Sequence, residues 1–438
     1  MILSVTLTYV LIKDLEISRG NQILLLLGVA LRFFYMANTD WTVRAYDFAG
    51  HMEYINYIYN HVSLPPANAG WEAYQPPLYY IPAALLFAVG KFIGILQPQE
   101  ILLRVLSLFY SVGFLVFGVM AIELVQERRS YRYLSAALFI FWPSTIIHSS
   151  LINNDTLLFC LYSGGLYFLV SAVKKDKPGH FFWAMVCAGL ATLTKFNGVS
   201  LFLVIGVVAL IKYWRERETL KKIGRAGLLV VLISVPLAIG NNFYCGWSKD
   251  KNPHVIGNID EFGRIYPFRV NNDLKNFYTL DLGAFLRKPF MTPWNDSTGR
   301  KYYWNYFLKT SLFESYEFER PMAIHLGKAM SLLLLVLCSY SLVGLMVERK
   351  KKWDILQIAL LATVITLLVP SLLLRYMNPY CSVSDFRYVM PILIPACLFF
   401  VRAIGAFEER NWLFAEYFGF ISGALFVFSS VAFMFVLY

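Results

Sequence analysis

Pro76-Pro-Leu-Tyr-Tyr-Ile-Pro-Ala-Ala-Leu-Leu-Phe-Ala-Val-Gly-Lys-Phe-Ile-Gly-Ile95 is the stretch on which the topology of this chain turns. By length and apolarity it could cross a bilayer, since a membrane helix needs about 20 residues. Eleven further apolar runs read as spans, at roughly 20–38, 101–124, 133–150, 156–173, 180–195, 198–213, 226–244, 326–347, 354–377, 387–403 and 412–437. Hydropathy alone therefore gives twelve crossings. The loop charges decide against the twelfth. Five short connectors, 126–132, 174–177, 212–225, 348–352 and 402–410, hold three, three, six, four and two Lys or Arg. If 76–95 stays on one side, all five connectors fall on the side of the N-terminus, as the positive-inside rule requires. If it crosses, all five fall outside. The double proline at its start and Lys91 within it fit a helix lying flat at the interface.

The composition agrees with a polytopic membrane protein. Of 438 residues, 58% are hydrophobic and only 15% charged, against about 25% charged in soluble domains. The net charge of +11 comes from the short connectors and not from a basic domain interleaved with aromatics, which argues against nucleic-acid binding. Six cysteines, Cys160, Cys187, Cys245, Cys338, Cys381 and Cys397, lie mostly in apolar runs without CxxC spacing, so neither a disulfide framework nor a metal knot is indicated. Residues 1–12 read as a cytoplasmic interfacial segment and not as a cleaved signal.

The expected fold is all-α, with about eleven transmembrane helices, the N-terminus inside and the C-terminus outside. The expected division is 1–244 as a transmembrane module carrying a first outer loop at 39–100, 245–325 as a large outer loop, and 326–438 as the C-terminal helices. Long loops in a compact protein are usually functional, and both long loops fall on the outer face with the short connectors 148–155, 195–198 and 375–387.

The residues able to carry chemistry gather in these segments. Trp41-Thr-Val-Arg-Ala-Tyr-Asp-Phe-Ala-Gly-His-Met-Glu-Tyr54 places Asp47 and His51 one turn apart if 46–60 is helical. A carboxylate beside an imidazole suits a general base or a divalent-metal site; Asp47 as a plain helix cap fits equally well. Tyr74-Gln-Pro-Pro-Leu-Tyr-Tyr80 reads as a stiff turn into the flat helix. In His148-Ser-Ser-Leu-Ile-Asn-Asn-Asp155, either Asn154 or Asp155 suits a helix cap, and Asp155 equally suits a second carboxylate. Arg104, Lys195 and Arg387 each suit a snorkelling anchor; together on one face they suit an anionic group such as phosphate. Pro289–Asn305 and Phe307–Ser315 interleave aromatics with amides and charges, as either a sugar surface or a packed lid does. Asn295-Asp-Ser297 has the form of a glycosylation acceptor. Walker A, GxSxG, HExxH and GxGxxG patterns are absent.

This succession resembles the membrane glycosyltransferases of the GT-C superfamily, and more narrowly the protein O-mannosyltransferase and lipid A aminoarabinose transferase-like group. The residues that carry the resemblance are Asp47, Gln75-Pro-Pro-Leu-Tyr-Tyr80, Arg104, Asn154-Asp155, Thr194-Lys195, and Arg387-Tyr388 with Pro391 and Pro395. The resemblance implies juxtamembrane helices in the first outer loop. It also implies transfer of a hexose or pentose, with inversion, from a polyprenyl-phosphate-linked donor to a lipid, glycan or protein acceptor on the non-cytoplasmic face of the plasma membrane. Asp47 would be the base and Asp155 an orienting or second acid. Arg387, Lys195 and Arg104 would hold the donor phosphate, and His51, Gln75, Tyr79 and Tyr388 would line the substrate pocket. Tyr74 and Gln75 stand where some relatives carry Glu-Lys. No cofactor is required, with a divalent metal at Asp47 and His51 as the alternative. Two other functions remain open: a transporter or flippase, and a glycan ligase or polymerase using a diphosphate-linked lipid.

Overall fold

A computed structural model describes residues 8–10, 13–45, 47–67, 69–94, 100–246, 268–348 and 352–438, with the side chains of 241–246 left aside. Most of the segment 1–12, and residues 247–267 of the second long loop, lie outside the described residues. The described chain is helical, with one isolated antiparallel bridge between Arg269 and Tyr380. In order, the helices are α1 (Arg19–Asn38), α2 (Phe48–His61), α3 (Tyr80–Phe92), α4 (Glu100–Val125), α5 (Arg129–Ile140), α6 (Pro143–His148), α7 (Asp155–Lys174) and α8 (Gly179–Thr194). They continue with α9 (Ser200–Tyr213), α10 (Arg217–Gly246), α11 (Lys275–Tyr278), α12 (Leu282–Arg287), α13 (Tyr303–Phe313), α14 (Pro321–Val347), α15 (Ile355–Met377), α16 (Leu393–Glu408) and α17 (Leu413–Val436).

Among the described residues, nine helical segments are long and apolar enough to cross a membrane. They coincide with nine of the eleven expected spans. The other two differ in form. The expected span 133–150 is split at Phe141-Trp142, because Pro143 supplies no N–H and restricts the residue before it. The carbonyls freed there find partners: Ile140 accepts from buried Arg32 Nη1 at 3.0 Å, and Phe141 accepts from Ser430. Arg32 Nη2 also donates to Thr145 Oγ1 at 2.7 Å, so a buried cation is spent on bridging the break. The expected span 180–195 is α8, a helix of 16 residues. The deciding stretch 76–95 forms only the 13 residues of α3, about 20 Å of helix, well short of a hydrocarbon core of about 30 Å. With α2 it gives the first long loop its two helices.

Outward side chains match a lipid solvent. Leu228, Leu229, Leu232, Ile233 and Leu237 on α10 and Phe414, Ile421 and Phe428 on α17 are all more than half exposed. Such continuous apolar surface marks a membrane or partner face.

The chain forms two compact units, one comprising 1–38, 118–147 and 267–438 and the other 39–117 and 148–266. In the first, charged pairs bind together one end. Glu123 accepts from Ser18, Asn21 and Arg132; Arg128 pairs with Glu408, Arg402 with Glu348, and Arg410 donates to the Val347 carbonyl. The start of α1 and the connectors 126–132 and 402–410 therefore share that end. In the second unit, Lys212 meets Asp176 at 2.8 Å and the Val173 carbonyl at 3.4 Å, which joins the basic connectors 174–177 and 212–225. Because α7 and α8 are antiparallel neighbours, Asp155 and Lys195 come together at the opposite end of that unit.

Candidate functional site

The site is built in the second unit, starting from Asp47. Its backbone takes φ 52° and ψ 11°, a left-handed conformation that Asp tolerates better than most residues. From there its side chain makes no capping bond to α2; the capping role that the sequence left open is not the one it fills. Oδ1 instead accepts the indole N–H of Trp71 at 3.2 Å. Gly50, one turn into α2, allows this approach. A Cβ there would stand 2.9 Å from Glu72 Cγ and 3.1 Å from Trp71 Cβ.

His51 points elsewhere. It is buried, and its Nδ1 pairs with the Tyr80 hydroxyl at 2.8 Å. Tyr80 stacks on Tyr54 with ring centroids 3.8 Å apart. Burial, reinforced by the Glu72 carboxylate, raises the Tyr80 phenol well above its ordinary value, so it stays protonated at neutral pH. Tyr79 is fully buried in the apolar cluster of Met52, Ile55, Ala83, Phe87 and Leu103 that packs α2 on α3 and α4. Among the described residues, no three His, Cys, Asp or Glu side chains gather as a metal site needs.

Gln75 connects this region to the next. Its Oε1 accepts from Asn154 Nδ2 at 3.3 Å, and its carbonyl accepts from the Tyr54 hydroxyl. Leu78 N donates to the Leu193 carbonyl at the end of α8. Asn154 stands at the N-cap of α7 without making a side-chain cap; its amide reaches Gln75 and the Thr194 carbonyl. The next residue, Asp155, is 1% exposed and meets Lys195 Nζ at 2.5 Å through Oδ1. His148 Nε2 lies 3.9 Å from Asp155 Oδ2 and 3.1 Å from Asn153 Nδ2. Gly198 makes the turn behind Lys195, because a Cβ there would meet the Ala191 carbonyl carbon at 2.4 Å. Arg104, near the start of α4, is buried and donates from Nε to the Ser150 carbonyl at 3.2 Å. Asp40 lies within its field; the Thr42 hydroxyl and amide hold that carboxyl below the usual range, with Arg104 adding to the effect.

Of the residues singled out in sequence, this unit holds Asp47, His51, Gln75, Tyr79, Arg104, Asp155 and Lys195, and a hydrogen bond joins Gln75 to Asn154, next to the Asp155–Lys195 pair. Trp71, Glu72 and the role of His148 were not read from the sequence. A Trp-Glu pair four residues before the Pro-Pro turn was the available signal.

Arg387 and Tyr388 belong to the other unit. Arg387 is nearly buried, its backbone N–H donates to Asp385 Oδ1, and its guanidinium lies over the Tyr388 ring at 5.2 Å. Asp385 also accepts from Ser315 at 2.9 Å, and Ser315 bonds Tyr306. Sequence reading also passed over Lys309, which α13 buries completely against the Ala284 and Thr298 carbonyls.

Comparison with known proteins adds the following. Residues 75–239 match the family model described as dolichyl-phosphate-mannose-protein mannosyltransferase. No curated protein matches the chain in sequence. Among solved structures, the archaeal oligosaccharyltransferase AglB from Archaeoglobus fulgidus, in complex with an inhibitory peptide and a dolichol-phosphate, has a TM-score of 0.50 at 12% identity. That similarity covers 95% of this chain and 55% of AglB, so the chain spans just over half of the longer protein. ArnT from Cupriavidus metallidurans, bound to undecaprenyl phosphate, is similar at TM-score 0.39 and 16% identity, over 87% of this chain and 77% of ArnT. The fold is that of the GT-C polytopic membrane proteins, and over residues 75–239 the chain is similar to the dolichyl-phosphate-mannose-protein mannosyltransferases.

Proposed function

We propose that this chain is a membrane glycosyltransferase that moves a sugar from a polyprenyl-phosphate-linked donor to a lipid, glycan or protein acceptor, with inversion. The observation that carries the reading is the joining of Gln75 to Asn154 beside the Asp155–Lys195 pair, away from the basic connectors of the same unit. The matched family, whose description names a dolichyl-phosphate-mannose donor, supports it. So does the fold shared with AglB, a protein solved with a dolichol-phosphate.

In this reading Asp47 takes the acceptor's proton, and fixed positive charge offsets the leaving phosphate. A glycosyl phosphate already carries a good leaving group, so one base and a cation suffice, without the two flanking carboxylates of a hydrolase. Arg104 and Lys195 are the cations assigned to this role in the unit. Asp155 already balances Lys195, so its role is to hold that ammonium in place. His51, Gln75 and Tyr79 shape the pocket around them. Arg387 and Tyr388 are proposed separately as a phosphate ligand and a pocket residue within their own unit. The basic connectors are cytoplasmic and the reaction takes place on the outer face of the plasma membrane.

The test is a transfer assay with purified protein and a panel of polyprenyl-phosphate and polyprenyl-diphosphate sugars, with products identified by mass spectrometry. A monophosphate donor is consumed, and Asp47→Asn abolishes the product while leaving the melting temperature unchanged. Transfer from diphosphate donors alone, or solute uptake into proteoliposomes without transfer, defeats the reading. Full activity of Asp47→Asn removes Asp47 from the role of base.

A further inference from the structure

Trp71 holds the Asp47 carboxylate by donating its indole N–H to Oδ1 at 3.2 Å. Three features suggest an arrangement made for that purpose. Asp47 sits at the head of α2 in a left-handed conformation, yet its carboxylate leaves the helix amides alone. Trp71 approaches only because Gly50 has no side chain, since an added Cβ would be 3.1 Å from Trp71 Cβ and 3.2 Å from Trp71 Cδ1. The 71–75 stretch that carries Trp71 is in turn fixed by Gln75, whose carbonyl and side chain bond Tyr54 and Asn154.

We propose that Trp71 is a positioning residue for Asp47, aiming one carboxylate oxygen and keeping the group ionised. This rests on the reading of Asp47 as the base. An indole is a donor only, so it bonds the carboxylate as an acceptor and cannot take its proton. A bond to the charged form of an acid favours that form. The positive end of α2 acts in the same direction. The other ionisable groups on these elements are Asp40 and Arg44 before α2; His51, Glu53, Tyr54, Tyr57, Tyr59 and His61 on α2; Glu72, Tyr74 and Tyr79 between α2 and α3; and Tyr80 and Lys91 on α3. Substituting Trp71 alters none of them.

The experiment compares wild type, Trp71→Phe, Gly50→Ala and Asp47→Asn, each as the full chain in detergent with the donor identified by the transfer assay. Trp71→Phe keeps an aromatic side chain and loses the N–H together with the pyrrole half of the indole. Its kcat falls by about tenfold, the order of one lost charge-assisted hydrogen bond, with KM for both substrates within about twofold. The acid limb of its kcat profile moves to higher pH by about half a unit or more. Gly50→Ala, which pushes Trp71 away, gives the same displacement and decides the matter if Trp71→Phe does not fold. An acid limb that stays in place in the folded variants overturns the inference, even if kcat falls. Asp47→Asn separates the two levels: if it is inactive while Trp71→Phe matches wild type, only the role of Trp71 fails. If Asp47→Asn is fully active, the assignment of the base fails, and this inference with it.

Discussion

Lys195 Nζ lies 2.5 Å from Asp155 Oδ1, and the aspartate is 1% exposed. Forty residues separate them in sequence, and the hairpin of α7 and α8 closes that gap. A buried pair of this kind is costly to break from one side, because the surviving charge stays in a poor solvent. Lys195→Met is expected to destabilise the protein by about 3–5 kcal/mol. The double variant Asp155→Asn/Lys195→Met is expected to recover a large part of that loss. Thermal unfolding of the four proteins in one detergent gives the coupling. Additive losses would mean that the pair does not hold this end of the unit.

Gly198 sets where Lys195 sits. Its N–H donates to the Lys195 carbonyl at 2.9 Å, and a Cβ would run into the backbone of Ala191 and Thr192. Backbone atoms cannot swing aside as a side chain does. Gly198→Ala is therefore expected to cost about 1–3 kcal/mol and to reduce transfer with it. Gly206, in the middle of α9 with open space at its Cβ, is the matched control. Gly206→Ala is expected to raise stability by about 0.5–1 kcal/mol. If both substitutions behave alike, close approach is not what Gly198 provides.

Spans of about twenty apolar residues were legible because the bilayer fixes their length and the connectors carry the charge. The break at Phe141-Trp142 was only half legible: Pro143 is visible in the sequence, but the Arg32 guanidinium that satisfies the freed carbonyl comes from α1. In the site, Asp47, Asp155 and Lys195 stood out as charges at the edges of apolar runs. The donor that meets Asp47 did not, because an indole N–H at Trp71 has the same sequence signature whether it bonds water or a carboxylate. Whether Asp47 and Asn154 cap their helices depended on backbone angles and side-chain directions that no spacing rule specifies.

The contacts among connectors make a prediction about sidedness. In one unit the start of α1 shares an end with 126–132 and 402–410, and in the other 174–177 shares an end with 212–225. Exposed positions in these connectors should all react from the cytoplasm. Ser130→Cys and Lys177→Cys are expected to resist a membrane-impermeant maleimide in intact cells and to react after permeabilisation. Ser63→Cys, exposed after α2, should react in intact cells. Labelling of Ser63→Cys and Ser130→Cys from the same side would overturn the reading that 76–95 does not cross, and labelling of Ser130→Cys and Lys177→Cys from opposite sides would break the pairing of the basic connectors on one face.

Lys309 gives the second long loop a pH dependence whose sign can be worked out. Burial pushes its ammonium down to about 7, against the pull of Asp281 and with a further push from Lys288. A neutral amine still has two N–H donors, which match the two carbonyls it meets, Ala284 at 3.1 Å and Thr298 at 2.7 Å. The unfolded chain keeps this lysine charged up to its ordinary value of 10.5. Between about pH 7 and that value the unfolded state therefore binds the extra proton, and stability rises with pH. Below pH 7 the lysine is charged in both states and the burial penalty is present in full. Melting temperatures at pH 6.5, 7.5 and 8.5 should increase for the wild type, a range low enough to leave the raised phenols of Tyr303 and Tyr306 untouched. Lys309→Met should be less stable at pH 8.5, where it leaves two carbonyls without their donor, and should lose the part of the slope that this lysine supplies. Equal slopes in the two proteins would show that Lys309 is not the titrating group.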